Sequence, residues 1–331
     1  MSKKEYVIIF TKNRPETLFV TLDQLTHINR PIIVLDDSTD INITGEIKHY
    51  IKRSGCIYHG SREQLQLLTS LNKFERNVNH FFVTLGTTGW TLGYNRNYAI
   101  LLAKALCAEK ILMMDDDIII NNRDLIDSTF KMLNMADFVG ARVVGMPDDS
   151  VLGFISRELG LETQEFFSGG FLAFNLSSVC EYFLNYYNED WIWLFMHKST
   201  AKLIKHGEVT QIYYNPFEGA IKKALSQELG EILLEGVKIS TKRNEICFLL
   251  SKSAWGQIIE QRIEKIKKII ELSEIRKFQV GHTVGMALLD YLKRFRPEKL
   301  EDIFKCYFEH KSTWSKLMHN TKFISLNALD E

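Results

Sequence analysis

Lys110-Ile111-Leu112-Met113-Met114-Asp115-Asp116-Asp117-Ile118-Ile119-Ile120 decides how the rest of the chain is read. An apolar run that ends in three adjacent carboxylates describes a buried strand that leaves a sheet and delivers its charge at the exit. Three neighbouring carboxylates repel and raise one another's pKa, so they need a cation or a set of donors. Ile118-Ile119-Ile120 takes the chain straight back to a core, which argues against a floppy acidic loop. The plainer account is a strand-to-loop turn with solvated aspartates, and a lone acidic pair would not displace it. The surrounding stretches shift the balance.

Tyr6-Val7-Ile8-Ile9-Phe10 reads as a buried first strand. Thr11-Lys12-Asn13-Arg14-Pro15 leads from it into a helix that Pro15 opens, with Leu18, Leu22 and Leu25 on one face. Pro31 to Leu35 is a second buried strand that ends at Asp36-Asp37-Ser38, as the later one ends at Asp115-Asp116-Asp117. In a mostly parallel α/β sheet, ligands bind beyond the carboxyl ends of strands, so two acidic exits can meet in one crevice. Helices are expected over 43–52 and 63–74, with a short strand over 56–59 between them. The glycine-containing stretch Gly86 to Gly93 breaks the pattern and feeds a helix from Tyr94, and such a loop can accept an anion. Arg96 in that first turn opposes the helix dipole, which contact with a phosphate would explain; a solvated surface position is the alternative.

A helix is expected over 125–133, a strand over 138–144 and a turn-rich region over 145–153. Phe166 to Asn175 comes next, where Gly169-Gly170 lets backbone approach a ligand closely. Another helix closes over 182–187. Asn188-Glu189-Asp190-Trp191 then opens a helix expected to run from 191 to 205, where acids would otherwise serve as caps. Beyond Pro216 the spacing predicts helices only, over 221–234, 254–272, 280–295 and 300–310. Charged residues of both signs in 260–271 suit a solvated amphipathic helix packed on the rest of the chain rather than a membrane-surface helix. Phe217-Glu218-Gly219 and Ser226 to Glu231 carry more polar groups than a helix needs and are candidates for the acceptor end of a cleft.

The chain has 331 residues, with 41 Lys plus Arg against 41 Asp plus Glu, so no overall field draws it to nucleic acid or an anionic membrane. No apolar run approaches the roughly 20 residues a transmembrane helix needs. No secretory signal is apparent at the start, so a cytoplasmic location is expected. Five scattered cysteines form no CxxC pair and are expected to be small buried hydrophobes.

In their order and spacing, these stretches resemble the GT-A glycosyltransferases, in particular the inverting, family-2-like group that uses nucleotide-diphosphate sugars. The likeness runs over about residues 6 to 215, through Thr11 to Pro15, Asp36-Asp37-Ser38, Gly93 to Asn97, Asp115 to Asp117, Ser168-Gly169-Gly170 and Asn188 to Trp191. It implies a Rossmann-like α/β fold, a mixed sheet flanked by helices, with a catalytic domain over 1–215 and a C-terminal helical region over 216–331 packed on it. It further implies a donor site drawn from Thr11, Asn13, Arg14, Asp36, Asp37, Arg96, Asn97, Asp115, Asp116, Gly169 and Gly170, with a UDP-sugar favoured. Asp117 and Asp115 would bind a divalent ion, Mn²⁺ or Mg²⁺. Asp190, with Glu189 beside it, would be the general base. These enzymes often draw a later metal ligand from a histidine. Here His197 and His206 fall in or near a helix and Asn215 is offered instead, a departure that leaves the third ligand open.

The chemistry suits those residue types. Displacing a nucleoside diphosphate builds charge that a hard cation neutralises, while a positioned carboxylate takes the proton of an acceptor hydroxyl or thiol. The acceptor is left open among saccharides, peptides and small molecules, and the C-terminal helices could shape its site or pair two copies of the chain. A nucleotidyltransferase is the neighbouring enzyme class, but it usually carries a glycine-rich signature after the first strand, and Thr11 to Pro15 has none. A noncatalytic nucleotide-sugar-binding protein, its acids turned structural, is the alternative outside enzymes.

Overall fold

The computed structural model describes residues 4–72, 81–82, 91–146, 149–161, 168–197 and 201–321. Gly86 to Gly89, Pro147-Asp148 and Phe166-Phe167 lie outside them. An eight-stranded sheet runs in the order β3 (Ile57–His59), β2 (Ile32–Asp36), β1 (Glu5–Thr11), β4 (Lys110–Asp115), β7 (Phe171–Asn175), β6 (Phe138–Val144), β8 (Leu203–Gln211), β5 (Ile118–Ile120). β1, β2, β3 and β4 pair in parallel, β7 runs antiparallel to both β4 and β6, and β5 is antiparallel to β8. The chain thus adopts the mixed, helix-flanked sheet with a helical C-terminal region that the resemblance implied.

β1 and β4 are apolar without interruption because both faces of the sheet are covered. Successive side chains alternate between the two cores. Ile8, Phe10, Ile111 and Met113 join one, while Val7, Ile9, Leu112 and Met114 join the other. The second core is closed by α1 (Pro15–Asp23), α2 (Ile41–Ser54) and α5 (Leu125–Met132), through Leu18, Ile47 and Phe130. α3 (Ser61–Asn72) follows β3 at the sheet's parallel edge. The first core is closed by α4 (Leu92–Ala105), α6 (Val151–Glu158) and α7 (Glu189–His197). It continues without a break into α8 (Ala220–Arg243), α9 (Lys252–Ile275), α10 (Gln279–Lys293) and α11 (Pro297–Asn320). Burying Trp255, Trp314 and Phe304 in that shared core, at roughly 2 kcal/mol or more apiece, ties the last helices to the sheet.

Register brings the acidic exits to one edge. Thr11 pairs with Asp36, and Phe10 with Asp115, so the ends of β2 and β4 flank the end of β1 on the same side of the sheet. Three expectations need correction. Residues 182–187 form no helix. Residues 203–205, expected in the helix over 191–205, instead open β8, whose pairings to β6 and β5 are distant in sequence. The cysteines are free, but Cys107, Cys180 and Cys247 are exposed rather than buried. Among the described residues, no helix is long and apolar enough to cross a membrane.

Candidate functional site

Asp115 continues the face of Ile111 and Met113, and so points toward α4 and the C-terminal helices, where Arg96 lies fully buried. The Arg96 guanidinium is 3.6 Å from Asp115 and 3.1 Å from Glu189, and donates to the Gly169 carbonyl at 3.1 Å. It is not a solvated surface position. Its partners are the protein's own acids. Burial works against its charge, but Asp115, Glu189 and Asp190 outweigh that and raise its pKa. The same burial lifts the carboxyls of both Glu189 and Asp190, against the pull of Arg96.

Asp190 is held by backbone. The Gly169 N–H donates to its Oδ2 at 2.6 Å and the Trp191 N–H to its Oδ1 at 2.8 Å. Two adjacent glycines make the convergence possible. A Cβ on Gly169 would lie 2.4 Å from Asp190 Oδ2 and 2.8 Å from Arg96 Nη2, and one on Gly170 would lie 3.3 Å from Asp115 Oδ2. Asp115, Gly170, Glu189 and Asp190 thereby line one cavity of about 440 Å³. Its far end is built by α8 and α9, through Glu231, Lys238, Arg262 and Lys265. There Arg262 grips Glu228 with two bonds of 2.8 Å and reaches Glu231 at 3.3 Å. Glu231 in turn accepts from Asn188 at 3.1 Å. Asn188 has a left-handed backbone, φ 63°, directly ahead of the Glu189-Asp190 pair.

The other half of the acidic turn looks elsewhere. Asp116 is fully buried, accepts from Thr11 Oγ1 at 2.6 Å and pairs with Arg14. Burial raises its carboxyl to about 7, although Arg14 and Thr11 both pull it down. Asp117 Oδ2 is 3.0 Å from Arg14 and 3.4 Å from the Gln211 amide, while its buried Oδ1 has no hydrogen-bond partner among the described residues. Asp37 takes Lys12 at 2.9 Å and the Thr91 hydroxyl, and Asp36 accepts from Tyr58 at 3.0 Å and from the Ser38 N–H. Asn13 ties its loop to Ser38, Thr39 and Asp40.

The residues singled out in the sequence therefore fall into two groups. Arg96, Asp115, Gly169, Gly170, Glu189 and Asp190 meet around the cavity. Thr11, Asn13, Arg14, Asp36, Asp37, Asp116 and Asp117 gather at the ends of β1 and β2. Asn97 belongs to neither, since its amide is spent on the backbone of Phe81 and Phe183 at 3.2, 2.9 and 2.7 Å, a structural tie. Asn215 is exposed and its side chain accepts from the Phe217 N–H. His197 is buried against Trp193 and Cys180, and His206 meets Ser128. Among the described residues, no three His, Cys, Asp or Glu side chains group so as to hold a metal ion. The donor that best fits a cation is the unpartnered Asp117 Oδ1. Mg²⁺-type sites commonly use only one or two carboxylates, with waters and phosphates completing the shell.

Sequence reasoning missed Lys12, Thr91, Tyr58, Gln211 and Arg262. Lys12 stood inside the loop already chosen for its neighbours. Arg262 is separated from Glu228 and Glu231 by 34 and 31 residues, and only the packing of α9 on α8 pairs them.

A scan against models of known protein families finds no match, and neither does a search of curated proteins. Among solved structures, the chain is similar to a nucleotide-diphospho-sugar transferase, so described, from Desulfovibrio desulfuricans, at 10% identity and a TM-score of 0.40, covering 63% of this chain and 82% of that one. It is also similar to glucosyl-3-phosphoglycerate synthase from Mycobacterium tuberculosis, at 14% identity and a TM-score of 0.49, covering 72% of this chain and 80% of that one. The same enzyme with Mn²⁺, UDP and glucosyl-3-phosphoglycerate gives 14% identity and a TM-score of 0.46 over the same shares. Likeness at this level carries no residue roles from those proteins to this chain.

Proposed function

We propose that the chain is an inverting glycosyltransferase that moves a sugar from a nucleotide-diphosphate sugar, UDP-linked in the favoured case, to an acceptor hydroxyl or thiol. The observation that supports this most is the shared cavity of Asp115 and Asp190, brought together by Gly169-Gly170 and Arg96. Asp190 is the base. Burial raises its carboxyl toward the working pH, which suits a group that must take a proton from the acceptor as it attacks. The Gly169 and Trp191 N–H groups fix its direction, and Arg96 holds Asp115 and Glu189 in register with it. Arg14, Lys12 and the loop after β1 present positive charge at the strand ends, where the donor's diphosphate would lie. A divalent cation, when bound, would supply charge neutralisation for the departing diphosphate, and Asp117 would hold it through its unpartnered oxygen, with Asp115 joining only by turning from Arg96. The cavity's ionic far wall suits a polar acceptor.

A second reading, a nucleotide-sugar-binding protein without turnover, is favoured by one observation: Asp116 and Asp117 already share the counterion Arg14. Incubation with Mn²⁺ and a panel of nucleotide sugars separates the two. Release of the nucleoside diphosphate, in proportion to glycosylated or hydrolysed product, is the expected result. A thermal shift on donor addition with no diphosphate released would favour the binding protein.

A further inference from the structure

Three adjacent carboxylates demand compensation, and in this chain two arginines provide it from opposite sides, Arg96 for Asp115 and Arg14 for Asp116 and Asp117. The two arginines are differently placed. Arg96 is locked in the core, whereas the Arg14 side chain is 49% exposed. Arg14 also stands at the start of α1, immediately before Pro15, where a helix dipole disfavours positive charge. Its guanidinium nonetheless pairs with Asp116 and Asp117 of the turn. It satisfies one oxygen of Asp117 and leaves the other, buried Oδ1, without a hydrogen bond among the described residues.

We infer that Arg14 is a displaceable internal counterion. It compensates Asp116 and one oxygen of Asp117 while the donor site is empty, and its adjacent positive charge opposes a divalent cation at the other Asp117 oxygen until it moves aside. The inference rests on the donor-site reading above and adds a competition between a residue of this chain and the metal. Its consequence is that metal binds weakly alone and firmly only with a diphosphate, whose oxygens give the released guanidinium a new partner. Resting charge at the turn is thereby kept compensated without a permanently bound ion.

The test is a titration of Mn²⁺ alone, followed by electron paramagnetic resonance, into the wild-type protein and the Arg14→Gln and Arg14→Lys variants. Arg14→Gln removes the competitor and should bind Mn²⁺ on the order of tenfold more tightly without nucleotide, the effect expected of deleting one adjacent positive charge. Arg14→Lys keeps a charge beside buried Asp116 but cannot span both carboxylates with a single ammonium, and should fall between. Melting curves check folding. If Arg14→Gln does not fold, Arg14→Lys must show the gain for the inference to stand. Equal or weaker Mn²⁺ affinity in the folded variants, or no binding by any of the proteins, overturns it. Diphosphate release by the wild-type protein is measured on the same preparation. Turnover with unchanged Mn²⁺ affinity overturns the counterion alone, and raised affinity without turnover overturns the transferase alone.

Discussion

Arg96 and Arg262 face one cavity from its two ends, each between buried carboxylates, and they leave opposite balances. Around Arg262, Glu228 takes both prongs of the guanidinium and Glu231 takes a further bond while accepting from Asn188. Burial opposes both charges: it raises the carboxyl of Glu228 against the pull of Arg262, while the partners of Glu231 hold that one below the usual carboxylate range. Around Arg96, one guanidinium serves Asp115 and Glu189, and Asp190 is left to backbone N–H groups, with both Glu189 and Asp190 pushed up by burial. The saturated cluster is scaffolding. The one with surplus carboxylate is where a proton can be exchanged near neutral pH.

The largest effect expected from breaking this contrast comes from Asp190→Asn. It removes the proton acceptor with little change of shape and should cut kcat about 1,000-fold, inside the range a general base contributes. Donor binding, read by thermal shift, should hold. One of the two backbone donors loses its acceptor, so a stability loss of about 1 kcal/mol should accompany it. The pH profile isolates the titrating role. A base works only when deprotonated, so a raised pKa moves the acid-side loss of activity above the ordinary carboxylate range, and wild-type turnover should climb with pH there while the residual rate of the variant stays flat. A loss below tenfold, or the same pH limb in both proteins, moves the base elsewhere.

Next in size is Arg262→Ala, which strands two glutamates, one of them fully buried. The expected cost is about 3 kcal/mol of stability, measured by urea unfolding, at the low end for a broken buried pair because Glu231 keeps Asn188. Activity per folded molecule should change less than threefold. A kcat loss rivalling that of Asp190→Asn would erase the distinction between the clusters.

Much of this arrangement was legible in linear form. Strands covered on both faces are unbroken apolar runs, so β1, β2 and β4 could be read directly, and their acidic exits marked the functional edge. The demand of Asp115-Asp116-Asp117 for a cation was also sound physics. Its answer was not local. Arg14 lies 103 residues from Asp117 and Arg96 lies 93 from Glu189, so nothing in either neighbourhood announced the pairing. β8 was misread for a related reason: Leu203 to Gln211 carries a weak apolar pattern and becomes a strand only because β6 and β5 offer their edges.

Gly169→Ala sharpens the comparison on the side of Arg96. The added methyl meets the Asp190 carboxylate at 2.4 Å, so the base must turn away while the fold accommodates a local shift. A fall of roughly 30-fold in kcat with a stability loss of about 1 kcal/mol for the broken hydrogen bond is expected, since small displacements of a positioned group cost up to about 100-fold. A variant as active as wild type would mean that the Gly169 N–H does not set the direction of Asp190.

The smallest effect should come from the joint between the two clusters. Asn188 donates to Glu231 at 3.1 Å on one side and precedes Glu189-Asp190 on the other, with the left-handed backbone that glycine also tolerates. α8 packs closely on the same turn, since a Cβ on Gly230 would lie 2.0 Å from the Tyr187 carbonyl. Asn188→Gly therefore keeps the turn and removes only the hydrogen bond, for a stability loss of about 1 kcal/mol. If the scaffold merely supports the helix that carries the base, kcat should fall no more than about threefold, within the tenfold that 1.4 kcal/mol would allow. A loss approaching that of Asp190→Asn would show instead that the Arg262 cluster sets the base's position through Asn188, and the two ends of the cavity would then have to be treated as one machine.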